Sequence, residues 1–159
     1  MRLYLLRHAD ALPGADDAQR PLSPRGEQEC RCLAKFLERA GIEFEAAYTS
    51  PLLRARQTAE RVLATCRARE DLQAVVSDKL LNETSANAFT DWLGRLSAAK
   101  HVLLVGHMPS LAERLCALLE VEPSAAFRLP KAGLAALARD ESGTVTLKLF
   151  VSPKVLGLK

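Results

Sequence analysis

Short apolar runs bounded by polar or turn residues recur along the chain, and this pattern predicts buried strands. The clearest runs cover residues 2–7, 45–50 and 101–106, and a shorter run covers 73–76. Near the C-terminus, runs at 133–139 and 144–151 flank Asp140-Glu141-Ser142-Gly143, which predicts a β-hairpin. The last two predicted strands are therefore antiparallel neighbours.

Between the strands, apolar residues recur at intervals of three and four, which predicts amphipathic helices. The first helix is expected to begin at Pro24, with Ser23 as N-cap, and to end at Gly41. The second is expected to begin at Pro51 with Ser50 as its cap. Two more helices are predicted, one around Phe89, Trp92, Leu93 and Leu96 and one from Pro109 onwards, and segments 9–23 and 80–87 are predicted loops.

The alternation of strands and helices predicts an α/β fold with a mainly parallel central sheet. Helices should cover both faces of this sheet, which gives three layers, and the hairpin should add an antiparallel edge pair. A length of 159 residues fits a single domain that spans residues 1–159. A chain of this size buries enough surface to fold without a disulfide or a metal ion.

Three of the predicted strands end in polar or charged side chains. The first strand stops at Arg7-His8, and the strand at 101–106 stops at Gly106-His107. The strand between them stops at Ser50-Pro51, and Arg54 follows within one helical turn. If these strands are parallel and adjacent, the two histidines and the two arginines meet at the carboxyl edge of the sheet, where ligands bind in open α/β folds.

Two arginines and two histidines at equivalent places indicate an anion site, and phosphate fits best. Arg7 cannot lose its charge and is costly to bury without an anionic partner. Arg54 lies near a helix start, where free N–H groups and the helix dipole also favour an anion. Taken singly, Arg54 could form a surface ion pair and each histidine could be structural. A histidine between guanidinium groups can also act as a nucleophile.

Composition narrows the range of partners. The net charge of +3, from 22 basic and 19 acidic residues, is too small to indicate nucleic-acid binding, and no block of Lys or Arg stands out. The four cysteines form no Cys-x-x-Cys pair and are expected to be small buried residues in a reducing compartment. No apolar stretch is long enough for a membrane span or a signal peptide, so we expect a cytoplasmic protein.

Three sequence motifs resemble those of the histidine phosphatase superfamily, which includes phosphoglycerate mutases and acid phosphatases. In the expected order they are Leu5-Leu6-Arg7-His8-Ala9-Asp10-Ala11, Ser50-Pro51-Leu52-Leu53-Arg54-Ala55-Arg56-Gln57-Thr58-Ala59-Glu60 and Val105-Gly106-His107-Met108-Pro109. The short chain and the segment Arg20-Pro21-Leu22-Ser23-Pro24-Arg25-Gly26 resemble the SixA-type phosphohistidine phosphatases in particular. The resemblance covers nearly the whole chain and implies a phosphoglycerate mutase-like fold.

Arg7, His8, Arg54 and His107, the residues expected at the carboxyl edge of the sheet, are called the edge cluster below. The resemblance also implies a role for each of them. His8 would be the nucleophile that takes the phosphoryl group. The oxygens of that group would be held by Arg7, Arg54 and His107. Arg20, in the loop beside the site, would add a substrate contact, and a solvated loop arginine is the alternative. The implied activity needs no metal or cofactor, and its substrate is phosphohistidine in a partner protein such as a histidine-containing phosphotransfer domain.

Two features depart from the superfamily's pattern. Ala9 stands where glycine is common, and alanine resists a positive φ. Many members also use a carboxylic acid to protonate an alcohol leaving group. Here Glu83 and, as a poorer candidate, Asp10 are available by position, and neither lies in a clear acid motif. Because imidazole leaves far more readily than an alkoxide, a missing acid favours phosphohistidine as the substrate.

Other functions are compatible with parts of this pattern. One is hydrolysis of a small phosphate ester or anhydride, and another is a non-catalytic module that binds phosphoproteins. A histidine metal site is disfavoured because His101 opens its strand and His107 ends it. A mutase is disfavoured because short loops leave little room to enclose a sugar acid. No exposed apolar stripe requires a partner subunit, so we expect a monomer.

Overall fold

The computed structural model describes residues 1–66, 71–96, 99–122 and 127–158. Within these ranges the strands are β1 (Arg2–Arg7), β2 (Ala46–Thr49), β3 (Val75–Val76), β4 (His101–Gly106), β5 (Leu134–Arg139) and β6 (Val145–Val151). The helices are α1 (Pro24–Arg39), α2 (Leu53–Leu63), α3 (Ala86–Gly94) and α4 (Ser110–Leu119). None of the helices in this part of the chain combines the length and the apolar character needed to cross a membrane.

The strands form one sheet in the order β3-β2-β4-β1-β5-β6. β1, β2, β3 and β4 are parallel to one another. β5 runs antiparallel to β1, and β6 runs antiparallel to β5. The predicted hairpin is therefore confirmed, and so is the predicted fold class, a mainly parallel sheet with an antiparallel pair at one edge.

Helices cover both faces of the sheet, because successive side chains of a strand point to opposite sides. Tyr4 and Leu6 pack on one face with apolar residues of α1 and α2. Leu3 and Leu5 pack on the other face with apolar residues of α3 and α4. All four side chains are almost fully buried, as expected for a central strand covered on both sides.

The start of the first helix is confirmed, and the loop before it contains more structure than predicted. Ser23 caps α1 by accepting a hydrogen bond from Gly26 N, and Pro24 occupies the first turn. Inside the loop, Asp17–Gln19 form a 3-10 turn, and the side chain of Asp16 accepts a hydrogen bond from Ala18 N. The loop between β1 and α1 is therefore ordered by local capping.

Among the predicted boundaries, those of α2 and of the run at 73–76 differ from the structure in ways that have a physical reason. α2 begins at Leu53 instead of Pro51, and its N-cap residue makes no side-chain hydrogen bond. The Ser50 hydroxyl, which was expected to cap this helix, makes its shorter hydrogen bond to a histidine ring and only a long one to Leu52 N. The run at 73–76 is a strand only at Val75–Val76, because it lies at the edge of the sheet and pairs with a single neighbour, β2.

The carboxyl ends of β1, β2 and β4 lie side by side. Beyond the last paired residues, His8 N donates to Gly106 O at 3.0 Å and Ser50 N donates to Val105 O at 3.1 Å. The backbone pairing therefore continues past two of the strand ends. His107 directly follows Gly106, so the side chains of His8, Ser50 and His107 emerge at one edge of the sheet, as the sequence predicts for the two histidines.

Candidate active site

His8 lies in the predicted edge cluster, with its ring centroid 5.0 Å from that of His107. Its Nδ1 lies 2.8 Å from the carbonyl oxygen of Ala9. Because a carbonyl oxygen only accepts hydrogen bonds, Nδ1 must carry the ring proton. The neutral ring therefore has its lone pair on Nε2, which is the nitrogen left for chemistry.

Both rings of the cluster are neutral at physiological pH. Burial lowers the pKa of His8 to about 4, and the positive charges of Arg54 and Arg7 act in the same direction. The hydrogen bond to Ala9 opposes this shift without reversing it. Burial also lowers the pKa of His107 to about 3. A neutral imidazole beside permanent cations is an available nucleophile toward a bound anion.

His107 is buried, and one hydrogen bond orients its ring. Its Nε2 lies 2.5 Å from the Ser50 hydroxyl oxygen, which is itself fully buried. The same oxygen accepts a long hydrogen bond from Leu52 N at 3.4 Å. His107 Nδ1 is buried and has no protein partner within the described ranges. Because the oxygens of an anion accept hydrogen bonds, the tautomer that fits a bound anion carries the ring proton on Nδ1 and accepts the Ser50 hydroxyl proton at Nε2.

Arg7 ends β1 and is partly buried against the segment that precedes β5. Its Nη1 donates to the carbonyl oxygen of Leu129 at 2.9 Å. Its Nε is buried and has no partner among the residues that the structure describes. Burial lowers the pKa of Arg7, but a guanidinium group stays charged at neutral pH. A buried cationic donor without a partner is the arrangement that a bound anion would complete.

Arg54 and Arg20 meet through Asp17. Arg54 is buried and donates from Nη1 to the Asp17 carbonyl oxygen at 2.6 Å and from Nη2 to Asp17 Oδ2 at 2.9 Å. Arg20 donates from Nη1 to Asp17 Oδ1 at 2.9 Å and from Nε to the carbonyl oxygen of Leu12 at 2.8 Å. The charge of Arg54 acts on both histidine rings. The structure thus brings Arg54 into the cluster, whereas the hydrogen bonds of Arg20 go to residues of its own loop.

The backbone of Ala9 and Asp10 is held by the two helices beside it. Ala9 N donates to Thr58 Oγ1 at 3.0 Å, and Thr58 donates in turn to the carbonyl oxygen of Arg54 at 2.7 Å. α1 passes so close that a Cβ atom at Gly26 would lie 2.0 Å from the Asp10 carbonyl oxygen, so this crossing requires glycine. Ala9 is fully buried and its φ is not positive, so the fold accommodates the departure from glycine there.

Of the two candidate acids, Asp10 is held as an ionised carboxylate. It accepts a hydrogen bond from the Ser23 hydroxyl at 2.5 Å and is paired with the Lys131 ammonium group. The bond to Lys131, followed by that to Ser23, lowers the pKa of Asp10. Asp10 therefore has no proton to give to a leaving group at neutral pH. Glu83 lies exposed on the loop that precedes α3.

The sequence predictions missed Ser50 and Asp17 as members of the cluster. Ser50 was assigned to a helix cap, yet it directly follows β2 at the edge that carries His8 and His107. Its position at that strand end is the signal that identifies it. Asp17 lies in a long loop, and no periodic pattern in the sequence indicates which arginine its carboxylate contacts.

Metal ligation has no support in the part of the chain that the structure describes. No three His, Cys, Asp or Glu side chains there are placed to hold a metal ion together. His101 begins β4 and bonds the Tyr4 hydroxyl through Nδ1 at 2.9 Å, whereas His107 follows the other end of the same strand. These two histidines are therefore too far apart to share a ligand.

Comparison with known proteins identifies the family. Residues 3–95 match the histidine phosphatase superfamily (branch 1). An uncharacterised protein of Picosynechococcus sp. is 40% identical in an alignment 166 positions long, which covers 98% of this chain and 99% of that protein. The phosphohistidine phosphatase SixA of Escherichia coli is 31% identical over 161 residues, which cover 96% of this chain and 94% of SixA. A solved structure of the protein histidine phosphatase SixA complexed with tungstate matches with a TM-score of 0.88 and 30% identity, over 98% of this chain and 99% of that one. The chain belongs to the histidine phosphatase superfamily.

Proposed function

We propose that this chain hydrolyses phosphohistidine in a partner protein through a covalent phosphohistidine formed on His8. The observation that carries the proposal is the hydrogen bond from His8 Nδ1 to the carbonyl oxygen of Ala9, at 2.8 Å. It leaves the lone pair of Nε2 in a cluster that also contains Arg7, Arg54 and His107. A module that only binds phosphoproteins would need the cations but would not need an oriented nucleophile.

The proposed reaction has two displacement steps at phosphorus. In the first, a bond forms from His8 Nε2 to phosphorus while the P–N bond of the substrate breaks. The substrate imidazole leaves with the electron pair of that bond and takes a proton from solvent. In the second, water attacks phosphorus, the bond to Nε2 breaks, and inorganic phosphate leaves together with the proton released by the water. The His8 ring returns to its neutral form.

Three side chains are suited to hold the phosphoryl oxygens during both steps. Arg7 has a buried Nε without a protein partner in the described ranges, and His107 has an equally unpartnered Nδ1. Arg54 supplies a permanent positive charge close enough to lower the pKa of both rings. Phosphoryl transfer depends mainly on positioning and on stabilising charge at these oxygens, so this donor set fits the chemistry.

The leaving group favours phosphohistidine over a phosphate ester. An alkoxide needs a proton from a general acid, whereas imidazole departs far more readily. Asp10 is ionised and is not such an acid at neutral pH. The similar E. coli protein is named a phosphohistidine phosphatase, and the similar solved structure is complexed with tungstate, a tetrahedral oxyanion like phosphate. Both comparisons support the proposed substrate class.

Hydrolysis of a small phosphate ester or anhydride is the second candidate, because Glu83 is exposed on the loop before α3 and, among the described residues, is not paired with a cation as Asp10 is. If Glu83 protonates an alcohol leaving group, Glu83→Gln will lower kcat on esters. The same substitution will leave kcat on phosphohistidine unchanged, because that leaving group does not need the acid.

The test compares kcat/KM on a phosphorylated histidine-containing phosphotransfer protein with kcat/KM on a panel of sugar and nucleotide phosphates. We expect the phosphoprotein to be the better substrate, turnover to be lost in His8→Ala, and EDTA to have no effect. A higher kcat/KM on a small phosphate, together with its loss in Glu83→Gln, would replace the proposal with an ester phosphatase.

We further propose that the chain acts as a monomer in the cytoplasm. The proposed partner carries the phosphohistidine itself, so the site needs no second copy of this chain to be complete. Light scattering coupled to size-exclusion chromatography is expected to give the monomer mass, and a dimer mass would contradict the proposal.

A further inference from the structure

Asp17 places its carboxylate between two arginines of the site region. Its Oδ2 lies 2.9 Å from Arg54 Nη2, and its Oδ1 lies 2.9 Å from Arg20 Nη1. The two members of the Arg54 pair differ greatly in burial: the side chain of Asp17 is 63% exposed, whereas that of Arg54 is 9% exposed. The guanidinium group of Arg54 is therefore buried, and the carboxylate that neutralises it lies at the surface.

The segment that carries Asp17 is held by local hydrogen bonds and not by core packing. It is the 3-10 turn Asp17–Gln19, and none of its residues is buried. Its backbone bonds are long, with Gln19 N to Asp16 O at 3.2 Å and Arg20 N to Asp17 O at 3.5 Å. Moving the Asp17 carboxylate into water therefore breaks no core packing, whereas moving Arg54 would.

We propose that Asp17 is an internal counter-ion that competes with the incoming phosphoryl group for Arg54 and so determines the affinity of the site for anions. The inference rests on the proposed function only in that the cluster of His8, Arg7, Arg54 and His107 binds a phosphoryl group. It does not depend on which molecule carries that group.

The competition follows from charge and from shared donors. Nη2 of Arg54 donates to the Asp17 carboxylate, whereas Nη1 donates to the backbone carbonyl oxygen of Asp17. A phosphoryl dianion that takes the Nη2 donor would lie close to the carboxylate, and like charges at such a distance repel. The carboxylate must therefore withdraw or weaken the binding of the anion. Arg20 can retain it after withdrawal, because Arg20 is anchored independently to the carbonyl oxygen of Leu12 at 2.8 Å.

The test is calorimetric titration of the whole chain with inorganic phosphate, comparing wild type, Asp17→Asn and Asp16→Asn. Asp16→Asn is the matched control, because it removes the same charge one residue earlier, from a side chain whose hydrogen bond goes to Ala18 N. We expect Asp17→Asn to bind phosphate about fivefold more tightly, since an ion pair whose carboxylate is exposed to water is worth about that much. Asp16→Asn should bind like wild type.

Kinetics on p-nitrophenyl phosphate provide a second readout. Asp17→Asn should lower KM, which a residue with a purely structural role would not do, and Asp16→Asn should leave KM unchanged. Equal or weaker phosphate binding by Asp17→Asn would overturn the inference and show that Asp17 positions Arg54 instead. Failure of the wild-type chain to bind phosphate would contradict the proposed function itself, so the two failures are distinguishable.

Discussion

Acidification from pH 7 to pH 5 should destabilise the folded chain, and His107 should account for about 2 kcal/mol of the loss. His107 is buried, and burial lowers its pKa to about 3. A histidine in the unfolded chain titrates near about 6.5. Between these two values the unfolded state binds a proton that the folded state does not. Unfolding therefore becomes more favourable as the pH falls through about 6.5, and the loss is complete only near the folded pKa.

The magnitude follows from the two protonation equilibria. At pH 5 the unfolded imidazole is about 97% protonated, and this protonation stabilises the unfolded state by about 2 kcal/mol. At pH 7 the same contribution is only about 0.2 kcal/mol. The difference hardly depends on the folded pKa once that pKa lies well below 5. His8, whose pKa is lowered by burial to about 4, adds a similar amount.

The assay is urea unfolding at pH 7 and pH 5 for wild type and His107→Gln. A difference of about 2 kcal/mol corresponds to about 1 M urea in the midpoint. On acidification, the free energy of unfolding of His107→Gln should fall by about 2 kcal/mol less than that of wild type. His101→Gln is the comparison variant, because His101 is only half-buried and lies at the opposite end of β4, so it should change the pH dependence less. Identical pH dependence of wild type and His107→Gln would refute the inference that the buried His107 ring is neutral.

Two substitutions test the surroundings of His107. Ser50→Ala removes the hydroxyl that lies 2.5 Å from His107 Nε2. We expect it to lower the free energy of unfolding, measured by urea unfolding, by about 1–3 kcal/mol and to lower kcat/KM in steady-state kinetics. No change in either quantity would contradict the assigned bond. Arg114 is fully buried, donates from Nη2 to the carbonyl oxygen of Leu81 at 2.7 Å, and has no partner for Nε and Nη1 in the described ranges. Arg114→Met should therefore keep the free energy of unfolding within about 1 kcal/mol of wild type or raise it, whereas a loss above about 3 kcal/mol would mean that the guanidinium group is paired.

The strand ends were predictable because their signals are local. An apolar run such as Leu3–Leu6 that stops at a charged pair marks both the strand and the residues that emerge from it. The convergence of Arg7, His8 and His107 then follows from one assumption, that β1 and β4 are parallel neighbours. The structure confirms that assumption, with Arg7 aligned to Gly106.

The hydrogen bonds inside the cluster were not predictable, because they depend on distances between segments remote in sequence. Ser50 has the residue type and position of a helix cap, and its short bond to His107 depends on β4, which is remote in sequence. Asp17 is one of two adjacent aspartates in a loop, and nothing in the sequence says which of them reaches Arg54. Arg114 belongs to the apolar stripe of α4 by position, so its burial without an acidic partner among the described residues is visible only in the folded structure.

The most direct measurement identifies the nitrogen that becomes phosphorylated. The enzyme is mixed with a labelled phosphohistidine protein, trapped in alkali because phosphohistidine is labile in acid, and analysed by peptide mapping and phosphorus NMR. We predict a phosphoryl group on Nε2 of His8, because Nδ1 is engaged with the carbonyl oxygen of Ala9 at 2.8 Å, and no phosphoenzyme in His8→Ala. A phosphoryl group on Nδ1 or on another residue, or release of phosphate with no phosphoenzyme, would contradict the proposed mechanism.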